Sequence, residues 1–202
     1  MKLYYSPGAC SMAPHIVALE AGHTLDLVKV DIPNKKTLDG GDYWQVNPKG
    51  YVPALALDDG QVITEVGVIC QYLADQKPES GLVPKFGTME RYRQMEALNF
   101  AATEIHKQIG ALFNPKMTAQ MKEVQLGTIE RRFNSLEKML EGRSYVTGNN
   151  FTAADAYLFT VLSWTSPLKI EISKWPNIQA FIGRVAERPK VREAMKAEGL
   201  IK

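Results

Sequence analysis

The hydrophobic pattern in the first third of the chain changes from strand period to helix period and back. Residues 2–5 form a short apolar and aromatic run, and residues 25–32 alternate apolar and polar positions. Both patterns predict β-strands. Between them, apolar residues from Met12 to Leu19 recur at helical spacing, and Gly22 predicts the end of that helix. This order predicts a right-handed parallel βαβ crossover.

The following residues have the pattern of an antiparallel hairpin and a second helix. Residues 54–57 and 61–64 are strand-like, and the Asp58-Asp59-Gly60 sequence between them is a hairpin signal. Helical spacing then runs from about Glu65 to Asp75. Its buried stripe is expected to carry Val66, Ile69, Cys70 and Leu73. The first part of the chain therefore predicts an α/β thioredoxin-like domain with the order βαβ-ββα.

The rest of the chain has helical patterns only. Long amphipathic stretches cover residues 88–111 and 119–141, and two closing helices are expected at 176–187 and 191–198. Thr152-Ala153-Ala154-Asp155 resembles a capping box and opens a segment that is apolar nearly all round. Such a helix belongs at the centre of a bundle. We predict a thioredoxin-like domain at 1–76, a linker at 77–87 and an all-helical domain at 88–202.

Composition and charge exclude several classes of protein. The 202 residues are 45% hydrophobic and carry a net charge of +2, without a long run of one sign, which argues against nucleic acid as a partner. No apolar run approaches the roughly 18 residues of a membrane span, and no signal peptide is evident, so we expect a cytoplasmic protein without a membrane partner. The two cysteines form no CxxC pair, and no His/Cys cluster has metal-ligand spacing, so no metal is expected.

Cys10 lies where the first loop meets the first helix. The preceding Ser6-Pro7-Gly8 is turn chemistry, and Ser11 is a candidate N-cap. Free N–H groups and the positive end of the helix dipole favour a thiolate there, so Cys10 is a candidate nucleophile or the partner of a bound thiol. The alternative is a small buried apolar residue, which is what we expect of Cys70.

Two further positions have the character of a peptide-binding site. In a thioredoxin-like domain the Val52-Pro53 bond is expected to be cis, which turns the backbone of Val52 outward for an extended ligand. The alternative is an ordinary proline at the start of a strand. Glu65 could hold an ammonium group while neighbouring N–H groups hold a carboxylate. The alternative for Glu65 is an acid that compensates the helix dipole.

A polar stripe follows on the long helix after the linker. Asn99, Thr103 and His106 are spaced i, i+4 and i+7, which at about 100° per residue places them on one face, and Lys107 borders it. Such a stripe suggests the wall of a cleft. The alternatives are a hydrogen-bonded packing role for His106 and a solvated charge for Lys107.

Taken together, these residues resemble the cytosolic glutathione S-transferases, most closely the bacterial beta class. The matching segments run from end to end of the chain in the family's order: 1–5 with 7–11, 47–50 with 52–55, 64–65 with 71–75, 104–107, 151–159, 186–189 and 197–200. The resemblance implies a thioredoxin-like domain, an all-helical domain, and a homodimer that uses glutathione as co-substrate at each active site.

The resemblance also implies roles for individual residues of the first domain. Cys10 would contact the glutathione sulfur and could form a mixed disulfide with it. Lys35 would meet the glycyl end, and Val52 would pair its backbone with the cysteinyl part beside cis-Pro53. The Pro33-Asn34 pair before Lys35 is unlike the usual family sequence, which makes the reach of Lys35 a point to test.

The remaining implied contacts concern the γ-glutamyl end and the helical wall. Glu65 and the N–H of Val66 would hold the γ-glutamyl end. Many family members have Ser or Gly at position 66, so a possible hydroxyl contact is lost here while the N–H remains. The helical wall would consist of Asn99, Thr103, His106 and Lys107, with His106 near the sulfur.

The implied function is conjugation of glutathione to electrophilic, mostly hydrophobic small molecules. Their pocket would be built from helical residues such as Phe113, Asn114 and Trp164. Two alternatives remain open: a thiol transferase or reductive dehalogenase acting through a Cys10 mixed disulfide, and a non-catalytic ligand-binding protein. The presence of Cys10, Glu65 and His106 together favours catalysis over storage.

Overall fold

The computed structural model describes residues 1–202. Contacts divide the chain into two compact units, one of residues 1–83 with 188–202 and one of residues 84–187. We call these the first and the second unit. The C-terminal segment thus belongs with the N-terminal residues, whereas the sequence-based division placed it in the helical domain. The limits of the domains themselves stay a prediction.

Five strands form one mixed sheet in the order β3-β2-β1-β4-β5. They are β1 (Lys2–Tyr5), β2 (Asp26–Asp31), β3 (Lys36–Thr37), β4 (Ala54–Ala56) and β5 (Val62–Thr64). Strands β1 and β2 are parallel and all other pairs are antiparallel, as the predicted thioredoxin-like arrangement requires. The sequence pattern missed β3, because a two-residue strand is too short to show alternation.

The helices follow the predicted order with small differences at their ends. They are α1 (Met12–Glu20), α2 (Val66–Asp75), α3 (Met89–Phe100), α4 (Lys107–Ala111), α5 (Ala119–Leu140), α6 (Ala153–Leu162), α7 (Pro176–Ala186) and α8 (Pro189–Ala197). None of them combines the length and the apolar character that a membrane crossing requires.

The core of the first unit lies between the sheet and its helices. Leu3 of β1 is paired with Leu55 of β4, and both side chains are fully buried. Helix α1 packs against both α2 and α8. At the start of α8, Arg188 makes two hydrogen bonds to the Glu20 carboxylate, of 2.7 and 2.8 Å, which fix it to the end of α1. This packing explains why the C-terminal segment groups with the N-terminal residues.

The second unit is organised around α6. All ten residues of this helix are buried, which confirms its predicted central place, and it packs against α3 and α7. The predicted capping box is also present: the Asp155 carboxylate accepts the Thr152 N–H at 2.8 Å. It accepts the Val146 N–H at 2.8 Å as well. Burial raises the pKa of Asp155 to about 6.

The long helix after the linker is interrupted. Thr88 caps α3 by accepting the Arg91 N–H, but residues Ala101–His106 between α3 and α4 form a π-helical segment. The prediction of one uniform helix over 88–111 is therefore wrong at this segment. Short π-helical segments inside α-helices are frequent at functional sites, and periodicity in the sequence does not reveal them.

Candidate active site

Cys10 lies in the loop between β1 and α1, with its thiol half-buried. Its Sγ donates a hydrogen bond to the Val52 carbonyl at 3.3 Å. The Val52-Pro53 bond is cis, as predicted. Two residues that the sequence analysis selected for separate reasons, Cys10 and Val52, are therefore in direct contact.

Ser11 does not cap α1 with its side chain. The buried hydroxyl donates to the Ser6 carbonyl at 3.2 Å and accepts the Ser6 N–H at 3.1 Å. The predicted N-cap hydrogen bond is thus replaced by two bonds to the strand end. They fasten the loop that carries Cys10 at both ends, because Ser6 and Ser11 flank it.

A buried carboxylate from the C-terminal segment holds the same loop. Glu198 accepts the Gly8 N–H on Oε2 at 2.9 Å, and its Oε1 lies 3.0 Å from His15 Nδ1. Gly8 has φ of +69°, and a Cβ there would lie 3.3 Å from a Leu200 methyl group. Burial, and to a smaller extent the charge of Glu198, raise the pKa of Tyr5. Sequence reasoning missed Glu198, since no local pattern connects it with a loop so distant in the chain.

Glu65 precedes α2 as its N-cap residue and does not lie within the first turn, with φ of 73° and ψ of 123°. Its carboxylate accepts a hydrogen bond from Lys49 Nζ at 2.7 Å, and Lys49 also donates to the Thr64 hydroxyl at 3.0 Å. Val66 is the first helical residue, so its N–H has no acceptor within the helix. The Glu65 carboxylate thus stands directly before the start of α2 in the chain and makes no hydrogen bond to the helix N–H groups. Lys49 is an additional member that was not among the predicted site residues.

Lys35 is fixed between two aromatic rings. Its Nζ donates to the Gly50 carbonyl at 2.7 Å and lies 5.7 Å from the centre of the Trp44 ring and 5.4 Å from that of Tyr51. These distances are those of cation–π interactions. A side chain at Gly50 would come within 2.7 Å of Trp44, so glycine permits this arrangement.

The polar stripe of the second unit differs from its predicted geometry. Asn99 and Thr103 are exposed and adjacent, because the Thr103 hydroxyl donates to the Asn99 carbonyl at 3.1 Å. The π-helical segment breaks the uniform 100° spacing between Asn99 and His106 on which the prediction depended. Lys107 is exposed.

His106 belongs to a cluster of aromatic side chains. Its Nδ1 lies 2.7 Å from the Tyr157 hydroxyl, and its ring lies 5.0 Å from Trp164 in an edge-on arrangement. The ring of Phe113 in turn packs edge-on against Trp164, with ring centres 5.5 Å apart. Of the three predicted pocket residues, Trp164 therefore packs on His106 and Phe113 packs on Trp164. The third, Asn114, accepts the Lys116 N–H at 3.0 Å in the following loop.

The predicted site residues are divided between the two units. The first unit contains Cys10, Lys35, Val52, Pro53, Glu65 and Val66, and the second contains Asn99, Thr103, His106 and Lys107. No group of three or more His, Cys, Asp or Glu side chains has a geometry suited to a metal ion. In the first unit, the Cys10 thiol lies beside the backbone of Val52 and its cis bond to Pro53, and the Glu65 carboxylate lies beside the Lys49 ammonium group.

The sequence matches two family models. Residues 3–81 match the model described as the glutathione S-transferase N-terminal domain, and residues 100–189 match the C-terminal domain. A curated relative, the glutathione S-transferase GstA of Escherichia coli O157:H7, is 44% identical over 200 residues, which cover 99% of this chain and 100% of that protein.

Solved structures give the same result. The beta-class glutathione S-transferase of Sphingomonas chungbukensis superposes with a TM-score of 0.96 at 44% identity. A sphingomonad glutathione S-transferase complexed with glutathione superposes with a TM-score of 0.95 at 43% identity. In both comparisons the whole of each chain is covered.

Proposed function

Because the chain belongs to the glutathione S-transferase family and is a glutathione transferase, we propose that its first unit binds glutathione for conjugation to electrophilic, mostly hydrophobic small molecules. One observation carries the assignment of the site. The short segment 49–52 contacts all three implied anchors: Lys49 bonds Glu65, the Gly50 carbonyl bonds Lys35, and the Val52 carbonyl bonds Cys10.

Glutathione is an anionic tripeptide with one ammonium group, and this set of groups complements it. We assign the cysteinyl part to the backbone of Val52 beside cis-Pro53, which leaves the sulfur at Cys10. The γ-glutamyl ammonium pairs with the Glu65 carboxylate, and its carboxylate meets the Val66 N–H at the start of α2. The glycyl carboxylate is assigned to Lys35, whose ammonium group is already oriented by Trp44 and Tyr51.

The chemical step needs the glutathione thiolate, because the thiolate and not the thiol is the nucleophile. At neutral pH the sulfur of free glutathione is mostly protonated. The thiolate attacks the electrophilic carbon, forms the C–S bond and displaces the leaving group or adds to the acceptor. Oriented N–H groups at the start of α1 favour the negative sulfur over the neutral thiol. By family resemblance we also assign roles in glutathione binding to Asn99, Thr103, His106 and Lys107.

The aromatic cluster supports a preference for flat, apolar electrophiles. Phe113 and Trp164 lie edge-on to each other at 5.5 Å, and Phe113 keeps 51% of its surface exposed. An exposed aromatic ring next to a buried one provides a surface on which an aromatic substrate can pack. We therefore propose aromatic electrophiles as the first compounds to examine.

The half-buried thiol of Cys10 supports thiol transfer as a second candidate function. In that reaction the Cys10 thiolate attacks the glutathionyl sulfur of a mixed disulfide, forms a Cys10–glutathione disulfide and releases the other thiolate. A second glutathione thiolate then attacks this bond, and glutathione disulfide leaves with Cys10 as thiolate. Every bond broken in this sequence is matched by one formed, and glutathione is the reductant.

We also propose that the protein assembles with a second copy of itself. Each unit exposes apolar side chains that a partner would cover: Tyr51, Val62 and Val68 in the first unit, and Met89, Tyr92 and Met95 in the second. Residues 89, 92 and 95 recur at near-helical spacing along α3, as expected of a packing stripe. Sedimentation at micromolar concentration should give twice the monomer mass of 22.5 kDa.

A glutathione titration of the full chain tests the proposed site. Glu65→Gln should weaken glutathione binding about tenfold, because it removes the charge that pairs with the ligand ammonium in a partly solvated position. Glu79→Gln, an exposed acid of the same unit, is the matched control and should bind as the unmodified chain does. Equal affinities for the Glu65 and Glu79 variants would contradict the site.

A further inference from the structure

The contact between His106 and Tyr157 is not explained by the glutathione contacts assigned above. The Tyr157 hydroxyl lies 2.7 Å from His106 Nδ1, and the two rings meet edge-on with centres 5.7 Å apart. Tyr157 is 3% exposed and lies in the fully buried helix α6. The phenol therefore approaches His106 from the interior of the second unit.

The chemistry of the two groups decides which of them donates the proton. A phenol has an ordinary pKa of about 10 and is a good donor. The unprotonated nitrogen of a neutral imidazole is a good acceptor, since the imidazolium ion formed on protonation has an ordinary pKa of about 6.5. The neutral imidazole N–H is a much weaker acid than the phenol. The O–H of Tyr157 therefore donates to Nδ1 of His106, and the reverse arrangement would pair the weaker donor with the weaker acceptor.

This hydrogen bond has a consequence for the other ring nitrogen. A neutral imidazole carries a single N–H, so an acceptor at Nδ1 requires the proton at Nε2. The ring is also held in place by packing, since Trp164 lies edge-on at 5.0 Å.

We propose that Tyr157 is a positioning residue that holds His106 as the Nε2–H tautomer. His106 then acts on the glutathione sulfur as a hydrogen-bond donor to the thiolate, and not as the base that removes the thiol proton. The tautomer follows from contacts within the second unit. The role toward the sulfur rests on the proposed function.

The tautomer is measured directly on full-length protein labelled with ¹⁵N. Long-range ¹H–¹⁵N spectra distinguish Nδ1–H from Nε2–H imidazoles, and the chain has only three histidines. A His106→Asn variant identifies the signals of His106. We expect the Nε2–H form in the unmodified protein and a mixture of both forms in Tyr157→Phe, which keeps the ring but lacks the hydroxyl.

The matched control is Tyr72→Phe, the same chemical change on the half-buried surface of α2 in the first unit. It should leave the His106 signals unchanged. An Nδ1–H form in the unmodified protein would overturn the proposal, and so would a His106 tautomer that is the same in Tyr157→Phe as in the unmodified chain.

Turnover of glutathione with a chloronitrobenzene tests the role toward the sulfur. Tyr157→Phe should lower kcat/KM about fivefold in the unmodified background and have no further effect in the His106→Asn background. An equal loss in both backgrounds would assign Tyr157 a general structural role and overturn this half of the proposal. Failure of the unmodified protein to bind glutathione would instead overturn the proposed function, while the tautomer would still be decided by the spectra.

Discussion

Two polar regions of the first unit differ sharply in their contact with solvent. The side chain of Glu198 has no exposed surface and that of His15 retains 5%, whereas Lys49 and Glu65 retain 54% and 67%. We call Ser11, His15 and Glu198 the buried network, and Lys49 and Glu65 the exposed charges. The buried network fastens the loop of Cys10, whereas Glu65, one of the two exposed charges, is assigned to the γ-glutamyl end of glutathione.

This difference in burial separates groups that hold the fold from groups that can exchange partners. A buried polar group that loses its partner retains the full cost of desolvation, so such a network stays closed. An exposed ion pair contributes about 0–1 kcal/mol, since water and salt compete for both charges. A ligand can therefore take over one member of an exposed pair at little cost.

The largest effect is expected from breaking the buried network. Glu198→Ala removes the acceptor of the half-buried Gly8 N–H and the partner of the buried His15. We expect the free energy of unfolding to fall by about 3 kcal/mol, measured by urea denaturation of the full chain. Glu198→Gln should recover part of the loss, because an amide oxygen can still accept from Gly8.

The matched control lies on α8, the helix that Glu198 directly follows. Glu193 of α8 makes an exposed ion pair with Lys190, so Glu193→Ala should change the free energy of unfolding by less than about 0.5 kcal/mol. If Glu198→Ala were no more destabilising than Glu193→Ala, the distinction between the two regions would fail.

The two cysteines sharpen the comparison, because both lie in the first unit and only one reaches its surface. Cys70 is fully buried in α2, and burial raises the pKa of its thiol well above the ordinary range. Cys10 is half-buried in the loop just before α1. The thiolate reacts and the thiol does not, so we expect alkylation of Cys10 at neutral pH to be ~100-fold faster than that of Cys70.

Peptide mapping after limited labelling measures the two rates in one sample. Glutathione should protect Cys10 and leave the slow labelling of Cys70 unaltered. Unfolding in urea should make the two rates similar, which controls for the reagent. Faster labelling of Cys70 in the folded protein would contradict the placement of both thiols.

Predictability from the sequence also differs between the two regions. The place of Cys10 before α1 was predicted from a local strand-turn-helix pattern, and the cis bond at Pro53 was predicted from the thioredoxin-like context. The contact of Cys10 with Val52 was not predicted. Lys35 was selected by resemblance alone, and Glu65 first by its place at the start of a predicted helix and then by resemblance. The pairing of Glu198 with Gly8 was not predictable, since it links the C-terminal segment to the first loop and neither residue is unusual in its own neighbourhood.

The second unit shows the same limit of local reasoning. The capping box at Thr152 and Asp155 was found because two residues three positions apart make its hydrogen bonds, so the motif is visible in the local sequence. The π-helical segment Ala101–His106 was missed, because apolar periodicity is compatible with both helix types. The partner of His106, Tyr157, appeared only as one apolar position of a buried helix, since nothing in its spacing marks a hydrogen bond.

The smallest effect is expected at Lys49, where a substitution should increase glutathione affinity and not impair the protein. Its ammonium group lies 2.7 Å from the Glu65 carboxylate, which is the acceptor that we assign to the γ-glutamyl ammonium of glutathione. Lys49 and the ligand therefore compete for one carboxylate. Lys49→Met should remove the competitor, strengthen glutathione binding about twofold to threefold, and change the free energy of unfolding by less than about 0.5 kcal/mol.

A calorimetric titration at two salt concentrations tests this competition. Lys29→Met removes the same charge from an exposed position of β2, so it controls for the general attraction of an anionic ligand to a positive surface. The gain from Lys49→Met over Lys29→Met should shrink as salt is added, because screening weakens the pair that is being removed. Weaker binding by Lys49→Met than by Lys29→Met would show that Lys49 holds the ligand, and the exposed charges would then act together in binding and not in exchange.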